Sequence, residues 1–152
     1  MTGATIAYHR WQPGYGAMRA LDGAVRASGL EHSLQELIKV RASQLNRCAY
    51  CIDMHTKDAR ASGETEQRLY ALSAWRETSF FTDRERAALA LTEEVTLLAD
   101  AHPSEEALDA ARAQFSPDEL VAVLYAIVCI NAWNRLGVTS GHPEPGSYQP
   151  PG

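Results

Sequence analysis

Three hydroxyl-x-x-glutamate signatures punctuate this chain: Ser33-Leu34-Gln35-Glu36, Thr82-Asp83-Arg84-Glu85 and Ser116-Pro117-Asp118-Glu119. In each, the Ser or Thr oxygen can accept from a free N–H of a first helical turn, while the glutamate reaches back to the cap. Apolar residues at helical spacing follow each one, and no run shows convincing strand alternation. These features predict an all-α fold. A length of 152 residues fits one domain.

Residues 1–14 read as irregular, closed by Pro13-Gly14. A first helix is expected from Tyr15 to Ser28, with Met18, Leu21 and Val25 on its apolar face and Gly29 as its stop. The second follows Ser33 and ends near Asn46 or Arg47. The third begins near Cys48 and stops at Gly63. A shorter helix, Thr65 to Ala74, leads into a connection from Trp75 to Phe81. A long helix runs from the Thr82 cap to about Ala101, and another from Ser104 to near Gln114. The last starts with proline at its first position and reaches about Arg135, with Gly137 as its stop. It is apolar nearly all round, so it belongs in the core or an oligomer interface, with Tyr125 and Trp133 as packing bulk. The helical domain thus spans 15–137. Residues 138–152 form a Pro/Gly-rich tail, expected to be extended.

The chain is 45% hydrophobic and 22% charged, enough apolar material for a sizeable core. Its net charge of −5, without a Lys/Arg block, argues against nucleic acid or an anionic membrane surface as partner. The start, MTGATIAYHRW, lacks the cationic-then-apolar pattern of a secretory leader. The longest apolar stretch, Leu120 to Ile130, is too short to span a bilayer. The expected compartment is the cytoplasm, where clustered cysteines are catalytic or metal-binding more often than structural. Cys129 lies in an apolar run and reads as a buried packing thiol.

The chemistry concentrates in Glu36-x₁₁-Cys48-x-x-Cys51-x-x-x-His55. On a helix, Cys48 and His55 differ by about 20° and Cys51 lies about 60° from Cys48, so all three share a stripe. A helix start favours thiolates through its free N–H groups and partial positive charge. Two thiols there can take an oxidant in turn: one becomes a sulfenic acid and the other condenses with it. His55, one turn after Cys51, is placed to exchange a proton with it. An antiparallel pair of helices would set Glu36 against His55, to orient it or pass it protons. Zinc is the rival reading, since Cys48, Cys51 and His55 are all ligands it accepts. A fourth ligand would have to come from Cys129 or Glu36 through folding. A thioredoxin-like fold is disfavoured, because its C-x-x-C follows a strand.

The motif, with the flanking Ser43-Gln44-Leu45-Asn46-Arg47-Cys48-Ala49-Tyr50-Cys51, resembles alkyl hydroperoxidase D-like proteins of the carboxymuconolactone decarboxylase superfamily. Asp83 to Glu94 and Ile130-Asn131-Ala132-Trp133-Asn134-Arg135 extend the resemblance over roughly residues 15–140. It implies a bundle of about six to seven helices, with C-x-x-C at the start of a core helix, assembled as a trimer or hexamer. It also implies peroxide reduction without a cofactor or bound metal. By position, Cys51 would be the peroxidatic thiol, Cys48 its resolving partner, and His55 with Glu36 the proton relay. The best-studied type carries a second histidine directly before the second cysteine, where this chain has Tyr50. Decarboxylase members lack the paired cysteines, which argues against lactone decarboxylation here. The expected function is a thiol peroxidase acting on hydroperoxides and recycled by a dithiol reductant. The alternatives are a disulfide reductase or adaptor feeding a separate peroxidase, and a non-enzymatic oligomer with structural zinc.

Overall fold

The computed structural model describes residues 6–141 and 143–152, and among them every regular element is helical. The α-helices are α1 (Gln12–Arg26), α2 (His32–Leu45), α3 (Ala49–Ala61), α4 (Glu66–Ala71), α5 (Asp83–Thr96), α6 (Glu105–Gln114) and α7 (Pro117–Ser140). Short 3-10 helices cover Tyr8–Arg10 and Leu72–Glu77. The expected all-α class is correct.

The three capping signatures meet different fates. Thr82 and Ser116 each accept from the backbone three residues on, and Glu85 and Glu119 return the bond. Such caps contribute about 1 kcal/mol each. The Ser33 box does not form. α2 begins two residues earlier, with Glu31 at its cap and no capping side chain. Glu36 is only 1% exposed and turns inward to Lys39 and His55, so it cannot reach back to a cap.

Other boundaries shift for local reasons. Pro13 opens α1 rather than closing a loop, because its fixed φ suits a first turn whose N–H groups are unpaired anyway. Residues 1–5 of the expected irregular segment lie outside the described residues. The Leu72–Glu77 helix takes up the end of the expected fourth helix and half of the aromatic connection. α5 stops at Thr96, short of Ala101. α7 runs through Gly137, since one glycine costs a helix only about 1 kcal/mol. It ends at Gly141, whose φ of 71° is the left-handed stop.

α2 sits at the centre, with nine of its fourteen residues buried. Leu34 and Ile38 share a core with Val25 of α1, Leu91 of α5 and Ile127 of α7. Leu37 and Val40 share a second with Leu72, Trp75, Phe81 and Leu89. A side chain on α2 is therefore held by packing on several sides, which suits a catalytic support.

α7 is long and apolar enough, by length and composition alone, to cross a membrane. Here Val123, Ile127, Ile130 and Asn134 are buried, while Val121, Leu124, Tyr125 and Val128 are exposed. The tail lies along α3 of its own chain: Lys57 donates to the Tyr148 carbonyl, and the Tyr148 hydroxyl donates to Asp58 at 2.7 Å.

Candidate active site

The turn between α2 and α3 aims the cysteines. Arg47 takes a left-handed φ of 55° and lets the chain reverse within a few residues. A polar network from α7 pins this turn. Asn46 Nδ2 donates to the side-chain oxygens of Asn131 and Asn134, both at 2.9 Å, and Asn134 Nδ2 donates to Ser43 Oγ at 3.0 Å. The Cys48 N–H bonds to the Ser43 carbonyl, which leaves Cys48 as the cap of α3 and Cys51 as its third residue.

Cys48 and Cys51 are joined as a disulfide, with Cα atoms 5.3 Å apart. Both are buried. One turn on, His55 Nδ1 lies 3.0 Å from Glu36 Oε2. Glu36, in the first half of α2, meets His55, midway along α3, across the hairpin that the two helices form. The other Glu36 oxygen takes the buried Lys39 Nζ at 3.0 Å, with His32 Nε2 at 3.7 Å. The folded chain thus brings together all four residues expected from the sequence.

Lys39 is a member of the site that lies outside the Glu36-Cys48-Cys51-His55 motif. Its signal was present: Glu36, Lys39 and Ser43 form a polar row, three and four residues apart, on a helix whose other buried positions are mostly apolar. Burial pulls the Glu36 carboxyl up, but the hydrogen bond and charge of His55, with those of Lys39, outweigh it and hold the pKa down at about 2. Glu36 is therefore ionised at neutral pH, and His55 Nδ1 donates to it.

A depressed carboxyl stabilises the fold above its ordinary pKa and loses that contribution as pH falls through the folded value. Stability is therefore expected to decline as pH falls from about 4.5 towards about 2. Glu93 adds in the same direction: burial raises its pKa, and bonds from Arg76, Trp75 and Arg41 more than offset that. Urea midpoints measured across this window check the expectation, and a flat profile would contradict it.

Cys51 and His55 line a cleft of about 340 Å³, a size suited to a small organic ligand. Tyr8, Tyr15, Tyr50, Met54 and Trp133 form much of its wall, with Gly137 also lining it. Trp133, expected only as packing bulk, is thus part of this wall. Tyr50 stands where the best-studied type has a histidine. Burial first, then Asp53 and Asp58, raise its phenol above the ordinary value. It keeps its proton at neutral pH and supplies no second imidazole.

Cys129 is buried and free, as expected. Burial pushes its thiol up to about 11, which keeps it a poor nucleophile. The two sulfurs that zinc would need are bonded to each other. Glu36, His55 and Asp58 lie close enough to share an ion, but Glu36 is already bonded to Lys39.

Residues 13–94 match the carboxymuconolactone decarboxylase family. Over 138 residues the chain is 39% identical to the uncharacterised protein YdfG of Bacillus subtilis strain 168, covering 90% of this chain and 94% of that protein. The crystal structure of a protein of unknown function from Agrobacterium tumefaciens, suggested to be the antioxidant defence protein AhpD, is also similar. It has a TM-score of 0.89 at 40% identity, covering 94% of this chain and 99% of that one. An uncharacterised peroxidase-related protein of Ralstonia eutropha JMP134, with an alkylhydroperoxidase AhpD core, shares the fold at a TM-score of 0.78. Identity there is 20%, over 91% of this chain and 73% of that one. With its paired cysteines and all-helical fold, the chain belongs to the carboxymuconolactone decarboxylase family as an alkyl hydroperoxidase D-like member.

Proposed function

We propose that this protein is a cofactor-independent thiol peroxidase that reduces hydroperoxides and is recycled by a dithiol. One observation carries the reading: Cys51, at a helix start and paired with Cys48, lines the same cleft as His55, whose far nitrogen is held by Glu36. In the reduced protein the Cys51 thiolate attacks the terminal peroxide oxygen. The O–O bond breaks, and the departing alkoxide takes a proton from His55 to leave as an alcohol. Cys51 is then a sulfenic acid. The Cys48 thiolate attacks its sulfur, the hydroxide that leaves takes a proton from solvent to become water, and the disulfide forms. An external dithiol restores both thiols by exchange.

Within this scheme Glu36 orients His55 by holding its Nδ1. A carboxylate with a pKa near 2 carries no proton at neutral pH, which favours orientation over proton passing. The exposed apolar row on α7, with Leu97 and Leu98, supports a homo-oligomer as part of the same reading. A reducing compartment such as the cytoplasm suits a pair that must be recycled.

The test is hydroperoxide consumption by purified protein with dithiothreitol as sole reductant. Turnover that needs both protein and dithiol is expected. Consumption only after a separate peroxidase is added would favour the disulfide reductase or adaptor reading instead.

A further inference from the structure

The cleft is far larger than hydrogen peroxide needs, and it carries a cation that the redox step does not use. We propose, building on the peroxidase reading, that it takes an organic hydroperoxide with an apolar body and a carboxylate, the carboxylate being held by Arg19.

Size is the first argument. A water molecule takes up about 30 Å³ of the liquid and hydrogen peroxide adds only one oxygen to it, while the cleft offers about 340 Å³. The second is the wall. Tyr8, Tyr15 and Trp133 meet one another at ring-centroid distances of 6.2, 6.3 and 6.1 Å, forming a braced aromatic surface for a hydrocarbon body. Charge is the third. α1 places Arg19, Asp22 and Arg26 on the cleft. Asp22 and Arg26 pair with each other at 3.5 Å. Arg19 is exposed, sits 5.9 Å from the Tyr15 ring centroid, and has no carboxylate partner among the described residues. In a chain of net charge −5 this leaves a guanidinium, without a carboxylate partner among the described residues, against the aromatic wall of the cleft that Cys51 also lines. A guanidinium binds a carboxylate through two parallel hydrogen bonds, a fit that a neutral peroxide cannot use. The reaction is the one already balanced: the terminal oxygen goes to Cys51, the remaining oxygen leaves as a hydroxy acid, and the dithiol supplies the two electrons.

The experiment compares hydrogen peroxide, cumene hydroperoxide and its 4-carboxylate derivative by kcat/KM, with dithiothreitol as reductant. The wild type is expected to favour cumene hydroperoxide over hydrogen peroxide, and the carboxylate over its neutral parent by about tenfold. Arg19→Gln should remove the second preference while leaving the neutral parent unchanged, and Arg19→Lys should keep part of it. Arg19 is exposed, so both variants should fold. Equal kcat/KM for the two cumene compounds, or an equal loss on both in Arg19→Gln, would overturn the carboxylate assignment and leave the peroxidase reading standing. Failure to consume any of the three would overturn both.

Discussion

Peroxide turnover is expected to fall by more than about 10³-fold in Cys51→Ser, because a serine hydroxyl is not ionised at neutral pH and cannot replace the thiolate. Cys48→Ser should behave differently. Its Cys51 can still attack one equivalent of peroxide, but no neighbouring thiol resolves the product. A sulfenic acid should accumulate on Cys51 and be trapped there by dimedone in a single stoichiometric event. The asymmetry follows from placement: Cys51 lines the cleft with His55, whereas Cys48 is the buried cap of α3. Labelling of Cys48 in the Cys51→Ser protein, with none on Cys51 in the reciprocal variant, would reverse the assigned order.

Glu36→Gln combines the next largest losses. The amide keeps the shape but removes the charge that Lys39 and His55 share. Lys39 is then a buried ammonium without a counter-charge, which costs about 3–5 kcal/mol. His55 loses the charged acceptor that fixes its ring, and turnover should fall by about 10²-fold. The two effects can be separated. Glu36→Gln with Lys39→Met removes the orphaned charge, so stability should return while activity stays low. Full activity in the stable double variant would show that Glu36 serves only the fold.

The same residue shows how far the sequence reached. Around Thr82 and Ser116 the capping geometry is settled within one turn of exposed helix, and local spacing was enough. Ser33-Leu34-Gln35-Glu36 has the same spelling, yet α3 and Lys39 draw the glutamate inward. That competition comes from a residue nineteen positions away and is invisible to a four-residue pattern. Cys51 and His55 were legible because one helix fixes their mutual angle, and Cys48 because it caps the start of that helix. The cleft wall was not, since Tyr8, Tyr15 and Trp133 meet only when the start of the chain folds against α7. Gly137 misled for a related reason: it looks like a stop, but α7 continues through it and it lines the cleft.

The central claim is that Cys48 and Cys51 form one redox unit operated by peroxide. It is tested most directly by counting thiols in the fully reduced protein before and after one equivalent of hydroperoxide, then mapping the product by mass. Three thiols should fall to one, with Cys129 left free and Cys48 joined to Cys51. Retention of all three thiols, or a disulfide that includes Cys129, would contradict it.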